Sequence, residues 1–170
     1  MPLNLTKKYN ELLDILGMPE RDRTASLRAV FNRDIQNNPA FSFMGKPIYP
    51  TPKEDGMVAM DNLFNHLTRK EVDKEERHRE FDYQRSARLH WINHHVRQSK
   101  KERMLYFSAE DSRCVRTYIY DMDEKYVIVL EPRRNGRSYY LLTAYHLEGK
   151  DAARNKIVNK YRKRRLATIL

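Results

Sequence analysis

The spacing of apolar residues along this chain changes near residue 100. Before that point apolar side chains recur every three or four positions, which is typical of helices that bury one face. The stretch 37–56 interrupts the pattern with four prolines, which remove backbone donors and forbid a regular element there. Helices are therefore predicted at Leu5–Leu16, Thr24–Ile35, Met57–Leu67 and Asp73–Gln98.

Beyond Lys101 the pattern becomes that of β-strands, with runs rich in Val, Ile, Thr, Tyr and Phe. The connections are short, so neighbouring strands must be antiparallel. Asn135-Gly136 predicts a hairpin with a type I′ turn. The strands predicted for this four-stranded antiparallel meander are Met104–Ser108, Arg113–Tyr120, Lys125–Glu131 and Ser138–His146, and a basic helix at about Asp151–Arg164 follows them.

The predicted fold class is α+β, with N-terminal helices, then the meander, then the basic C-terminal helix. The 170 residues fit one ordinary domain or a domain with a helical extension. We predict a helical region at 1–72, with its irregular stretch at 37–56, and an α+β domain at 73–170. The sequence leaves open whether the first 56 residues form a separate subdomain or wrap the domain that follows.

Composition excludes several classes of protein. No run approaches the roughly 18 apolar residues of a membrane span, and the N-terminus turns polar too early for a secretory signal. The single cysteine, Cys114, excludes an internal disulfide framework and a multi-cysteine zinc site. We expect a soluble, cytoplasmic protein.

The positive charge is confined to the second half of the chain. The formal net charge is +10, yet residues 1–85 hold 14 basic and 14 acidic residues, so residues 86–170 carry the whole excess. The densest stretch, 150–165, has eight basic residues and one acidic residue. Such a bias favours a polyanion partner, because each phosphate neutralised releases counterions. The alternative is a solvated basic tail that maintains solubility.

Two stretches hold the candidate chemistry, since the chain has no Gly-rich phosphate loop, no HExxH and no GxSxG motif. On the long predicted helix, His90 lies among apolar neighbours with Arg88 within one turn. In the last strand, alternation places one set of side chains on each face. These sets are Tyr139, Leu141, Thr143 and Tyr145 on one face, and Tyr140, Leu142, Ala144 and His146 on the other.

Both stretches also have purely structural interpretations. His90 is then a core histidine beside Trp91, and the tyrosines form cross-strand packing pairs. His90 and His94 are spaced to share a metal on a helix, but no acidic or cysteine ligand stands at the usual spacing.

The order of four motifs resembles the phage-associated branch of the barnase–EndoU–colicin–RelE-like nucleases. The likeness covers about residues 80–165. The motifs are Arg-x-x-Arg-Leu-His-Trp-Ile, Arg-Thr-Tyr-Ile-Tyr, Tyr-Val-Ile-Val-Leu and Tyr-Tyr-Leu-Leu-Thr-Ala-Tyr-His-Leu. The resemblance implies a metal-independent endoribonuclease, often a toxin, with helices packed on an antiparallel sheet and no cofactor.

Carried across by motif, the family's site residues match His90, Arg116, Thr143 and Tyr145, although Asn93-His94-His95 departs from the expected pattern. Histidine can move protons near neutrality, and arginine holds a phosphate through two parallel hydrogen bonds. We assign His90 as general base, Arg116 as phosphate clamp, and Thr143 with Tyr145 as positioning groups, and a tyrosine here can also donate a proton if its pKa is lowered. The residues predicted to bind substrate are Arg88, Arg113, His146, Lys160 and Arg162.

The register of the strands decides whether this site can form. If Met122-Asp123 makes a two-residue turn, Arg116 lies opposite Val129 and faces away from Thr143. The resemblance therefore requires a bulge or an odd-length turn, since a one-residue slip reverses the facing of a strand. Arg113 and His146 are the reserve candidates.

The leading prediction is a toxin-like ribonuclease that produces a 2′,3′-cyclic phosphate, with RNA as substrate and an acidic antitoxin or immunity protein as a partner. One alternative is a non-catalytic RNA- or DNA-binding module that uses the same basic half. Another is a phage structural or assembly protein that contacts packaged nucleic acid. No membrane partner is expected.

Overall fold

The computed structural model describes residues 3–52, 58–76 and 78–170 and has an α+β architecture. Its helices are α1 (Glu20–Phe31), α2 (Ala59–Thr68), α3 (Tyr83–Ser86), α4 (Trp91–Val96), α5 (Gly149–Ala153) and α6 (Lys156–Lys163). Its strands are β1 (Ser42–Phe43), β2 (Lys46–Pro50), β3 (Arg69–Asp73), β4 (His78–Phe81), β5 (Met104–Asp111), β6 (Cys114–Asp121), β7 (Tyr126–Pro132) and β8 (Tyr139–His146).

The four predicted C-terminal strands are confirmed, and they form part of a larger sheet. That sheet has six strands in the order β1-β2-β8-β7-β6-β5, and β3 pairs only with β4. All neighbours are antiparallel except β2 and β8, which run parallel. The sheet therefore extends the predicted meander by two strands taken from the proline-rich stretch.

The two faces of the sheet bury different cores. One face carries the larger cluster, to which the segments before β5 contribute Leu13, Val30, Leu67 and Trp91 among others. The other face is covered by α6, whose Ile157 packs into a smaller cluster. Residues on both sides of position 72 share the larger core, so the N-terminal segments pack on the sheet.

The predicted helix at Leu5–Leu16 is wrong. Only a 3-10 turn at Leu3–Thr6 forms, and Asn10 has a φ of +65°, a left-handed conformation that interrupts a helix. The Asn4 side chain instead pairs with the backbone of Asp14 through two hydrogen bonds of 3.0 and 2.7 Å. The apolar side chains of this segment, such as Leu5 and Leu13, pack individually against the larger core cluster and do not form one helical face.

The predicted long helix at Asp73–Gln98 is also wrong. Asp73 accepts hydrogen bonds from the backbone N–H groups of Glu75 and Glu76, which reverses the chain between β3 and β4. Asp82 then caps α3 by accepting from the N–H of Arg85 at 3.2 Å. Sparse apolar positions gave the helix little to bury, so these local capping bonds decide the structure.

The proline-rich stretch contains β1 and β2, contrary to the prediction that it has no regular element. Pro47 and Pro50 flank Ile48 and Tyr49, so the two middle residues keep their N–H groups. The helices predicted from Thr24 and Met57 are found as α1, which begins four residues earlier, and α2. Met57 itself lies outside the described residues.

Two predictions at the C-terminal end need correction. The basic helix is broken into α5 and α6 by Asn155, whose φ is +49°. The Asn135-Gly136 hairpin exists, but of the two residues only Gly136 has a positive φ, so the turn is not type I′.

Within the described ranges, no helix is both long and apolar enough to cross a membrane.

Candidate functional site

A β-bulge in β8 determines which side chains gather at the edge of the sheet. Val129 pairs with Thr143 and Leu130 pairs with Leu141, so Leu142 is the extra residue. Leu141 therefore faces the larger core, whereas Thr143 and Tyr145 face the side covered by α6. The simple alternation predicted for this strand is wrong, because the bulge reverses the facing of the residues that follow it.

Arg85 of α3 joins the two hydroxyl-bearing residues beyond the bulge. Its Nη1 donates to Thr143 Oγ1 at 3.2 Å and to the His66 carbonyl oxygen at 3.0 Å, and its guanidinium carbon lies 5.7 Å from the Tyr145 ring centroid. Asp82 lies 3.6 Å from Nε. Nη2 has no protein partner among the described residues, so it is free to bind an anion.

The electrostatics around Arg85 favour a neutral imidazole and a protonated phenol. Burial, followed by the charges of Arg79 and Arg85, lowers the pKa of His66. Burial raises the pKa of Tyr145, while the charge of Lys156 opposes that shift. Arg85 is thus the residue that contacts the His66 backbone, the Thr143 hydroxyl and the Tyr145 ring.

A basic groove lies between the end of β5 and α6. It has a volume of about 450 Å³ and is walled by Ala109 and Glu110 of β5 on one side. Its other wall consists of polar and basic side chains of α6 and the residues that follow it, namely Lys156, Asn159, Lys160, Lys163, Arg164 and Arg165. Lys156, Lys160 and Lys163 share one helical face, while Ile157 anchors the helix to the sheet.

The groove and the Arg85 cluster lie on the same face of the sheet, but at different strands. Thr143, Val129 and Tyr118 lie side by side across three strands, and Lys160 Nζ is 5.5 Å from the Tyr118 ring centroid. Neighbouring strands are about 4.8 Å apart, so the distance from Thr143 to Tyr118 is roughly 10 Å. Val129 and Tyr118, which lie between the two regions, are buried beneath α6.

The predicted general base does not join this cluster. His90 is 6% exposed, and its Nε2 donates to the Lys8 carbonyl oxygen at 3.0 Å. No contact within the described residues links its ring to Thr143 or Tyr145. The predicted cleft between His90 and the end of β8 is therefore not formed, because the N-terminal segment covers the ring.

The predicted phosphate clamp is neutralised. Arg116 Nη1 donates to Glu131 Oε2 at 2.9 Å. The two residues lie next to Thr117 and Leu130, the last residues that pair between β6 and β7. Asp121 pairs with Tyr126, so the turn is four residues long and the two-residue turn at Met122-Asp123 does not occur. The bulge does place Arg116 and Thr143 on one face, but Arg116 is already paired.

The predicted substrate-binding residues are divided among several places. Arg88 donates to Gln84, and its charge, after burial, lowers the pKa of His146, so these two lie near each other. Arg113 is exposed in the β5–β6 turn. Lys160 lines the groove, and Arg162 is exposed on α6.

Arg85 and His66 are the residues that sequence reasoning missed. Arg85 stands at the start of the quoted helical motif, so its position next to Arg88 was a usable signal. His66 carries no local signal, because Arg85, which donates to its backbone carbonyl, comes from a different element.

A second polar cluster lies on the other face of the sheet. The fully buried carboxylate of Asp121 accepts a hydrogen bond from Tyr9, and Lys100 Nζ and His95 Nε2 lie 2.8 and 3.2 Å from its oxygens. Burial opposes ionisation of Asp121, but hydrogen bonds from His95, Lys100 and Tyr9 outweigh burial and hold its pKa well below the usual range. The cluster fastens the N-terminal segment to β6.

In the part of the chain that is described, no three His, Cys, Asp or Glu side chains are grouped to hold a metal ion. Comparison with known proteins adds no relative: no family model, no curated protein and no solved structure matches this chain.

Proposed function

We propose that the protein is an RNA-binding endoribonuclease whose reaction centre is the Arg85 cluster at the end of β8. The observation that carries this proposal is the hydrogen bond from Arg85 to Thr143, with the guanidinium beside Tyr145. It unites two residues that the family resemblance assigns to the site with a cation that has a free nitrogen. This arrangement can receive a phosphodiester between the arginine and the two hydroxyl groups.

The proposed chemistry is transesterification by the ribose 2′-hydroxyl. His66, kept neutral by burial and neighbouring arginines, takes the 2′-hydroxyl proton. The 2′-oxygen bonds to phosphorus while the bond from phosphorus to the 5′-oxygen breaks. Tyr145 supplies a proton to the departing 5′-oxygen, since a phenol is a stronger acid than an aliphatic alcohol, and the proton held by His66 then passes through water to Tyr145. The products are a 2′,3′-cyclic phosphate and a 5′-hydroxyl.

Arg85 and the groove have separate roles in this proposal. Arg85 donates to the non-bridging phosphate oxygens, whose charge grows in the transition state. Lys160 and Lys163 of the groove hold the flanking backbone, and their contribution is electrostatic and independent of base sequence.

A second candidate is nucleic-acid binding without cleavage. The specific observation in its favour is the groove, in which Glu110 is the single acidic residue among eight lining residues. This function requires only α6 and the end of β5.

A cleavage assay separates the two candidates. A fluorescent single-stranded RNA is incubated with the protein in EDTA, beside a DNA of the same sequence. We expect the RNA to be cut to products with 2′,3′-cyclic phosphate ends and the DNA to be bound but left intact, because it lacks the 2′-hydroxyl. Salt-sensitive binding of both without any cleavage would refute the ribonuclease and leave the binding module.

The matched variants are Thr143→Val and Thr143→Ser. Valine keeps the shape of threonine and removes the hydroxyl, whereas serine keeps the hydroxyl that Arg85 contacts. We expect the valine variant to cleave roughly three to ten times more slowly, as for the loss of one hydrogen bond of about 1 kcal/mol. The serine variant should stay close to wild type.

A further inference from the structure

A second cationic pocket lies on the face of the sheet opposite the groove. It has a volume of about 410 Å³ and is formed by residues 7–9, by Arg33 and Asp34 of the π-helix Asn32–Gln36 that follows α1, by α4 with the residue on either side of it, and by Ser99. Its back wall includes Tyr9, which is bonded to Asp121, the residue that pairs with Met104 at the start of β5. The groove, in contrast, is lined by Ala109 near the end of β5. Five residues of β-strand separate these levels, so the two sites are roughly 17 Å apart along the strand.

Charge pairing within the pocket leaves two free cations. Arg33 is tied to Asp34 by bonds of 2.7 and 3.1 Å, and Lys7 lies 3.0 Å from Asp14, so these pairs are neutral. Lys8 and Arg97 are exposed, and neither side chain has an ion-pair partner among the described residues. The pocket therefore presents two unpaired positive charges and no unpaired carboxylate.

Two neutral donors add to these charges. Asn93 accepts a hydrogen bond from Asn38 at 3.3 Å through Oδ1, which leaves the two N–H bonds of its amide free. The Ser99 backbone N–H is bonded to the His94 carbonyl oxygen, and its hydroxyl has no protein partner in the described ranges. Both groups line the pocket.

His90, whose side chain lines the pocket, also has a buried ring nitrogen without a partner. His90 Nε2 faces the Lys8 carbonyl oxygen, which can only accept, so Nε2 carries the proton and Nδ1 holds a lone pair. Nδ1 is buried and has no hydrogen-bond partner among the described residues. Such an unsatisfied atom is costly in a protein that has no use for it.

The wall beside His90 is held rigidly. The His94 ring stacks on Tyr9 with centroids 4.4 Å apart and planes 8° apart, and Tyr9 is fixed by Asp121. Burial, then the charges of His95 and Arg97, lowers the pKa of His94 to about 4. The same positive surroundings that oppose protonation attract an anion.

We propose that this pocket binds a phosphate monoester, with Lys8 and Arg97 pairing with its charge and Asn93 and Ser99 donating to its oxygens. The His90 ring lines the same pocket, so its NMR signals report on a bound anion. The volume also admits the rest of a nucleotide. The site is independent of the ribonuclease centre, because it shares none of that centre's residues.

Titrations followed by amide and imidazole NMR signals test this site. The probes are inorganic phosphate, a 5′-mononucleotide, a 5′-phosphorylated tetranucleotide and the same tetranucleotide with a 5′-hydroxyl. We expect saturable shifts at Lys8, His90, His94 and Ser99 with the first three probes and none there with the fourth. The tighter of the second and third probes identifies the source as a free nucleotide or an RNA end.

Variants provide the control. Lys8→Gln combined with Arg97→Gln should weaken phosphate binding at least about tenfold, since each removes a charged hydrogen bond. Arg21→Gln removes an exposed arginine of α1 outside the pocket and should bind as wild type does. Shifts that do not saturate, or that persist unchanged in the double variant, overturn the proposal whether or not the protein cleaves RNA.

Discussion

The Tyr9 hydroxyl donates a hydrogen bond to the carboxylate of Asp121, a residue 112 positions further along the chain. Asp121 is completely buried, and it also accepts hydrogen bonds from Lys100 and from the backbone N–H groups of Asp123 and Glu124. An N-terminal segment without regular structure is thereby fixed to the end of β6. The stability of the fold and the shape of the phosphate pocket both depend on this bond.

Tyr9→Phe should lower the free energy of unfolding by about 2 kcal/mol, because a hydrogen bond to a buried charged group is lost while the ring packing stays. Urea unfolding measures the change. Tyr49→Phe is the matched control: Tyr49 is 45% exposed and its hydroxyl has no hydrogen-bond partner in the described part of the chain. Equal losses in the two variants would contradict the role assigned to Asp121.

Asp121→Asn should change how stability depends on pH. The folded-state pKa of Asp121 lies below the unfolded value of about 3.9. Its stabilising contribution is therefore complete above that value and is lost as the pH falls towards the folded pKa. We expect the variant to be less stable by about 3 kcal/mol at neutral pH. The gap to wild type should narrow below about pH 4. A gap that stays constant between pH 7 and pH 3 would show that the carboxylate is not the titrating group.

Two arginines of the proposed ribonuclease should respond differently to substitution. Arg85→Gln should slow RNA cleavage by about a hundredfold, because the group that faces the developing charge is lost. Arg116→Gln should leave the rate within about twofold, since Arg116 is already paired with Glu131. Initial rates measured at saturating RNA distinguish them, and thermal unfolding checks that both variants are folded. A larger effect at Arg116 than at Arg85 would show that Arg116 binds the phosphate, as the sequence predicted.

The salt dependence of RNA binding should report on the α6 groove. Each lysine that contacts a phosphate of single-stranded RNA contributes about 0.7 to the slope of log K against log salt concentration. Lys160→Gln combined with Lys163→Gln should therefore reduce the slope by about 1.4. Arg21→Gln should leave it unchanged, as Arg21 lies outside the groove. Fluorescence anisotropy at several salt concentrations gives the slopes, and an unaltered slope in the double variant would remove the groove from RNA binding.

The sequence alone determined the four strands β5 to β8 and the basic character of the last helices. Each strand is a continuous run of β-branched and aromatic residues bounded by polar turns, so the local preference and the buried pattern agree. The charge of α6 follows directly from its composition, and Asn155 divides the helical stretch without changing that charge.

Tertiary contacts decided the rest. The bulge at Leu142 depends on how β8 fits β7, and it reverses the facing of Thr143. The pairing of β3 with β4 replaces the first part of the helix predicted at Asp73–Gln98. His90, Arg116 and Arg85 differ in what covers or pairs with them, and those partners come from segments distant in sequence. Local periodicity describes which residues can be buried, whereas the partner of each polar side chain is set by the packing of the whole chain.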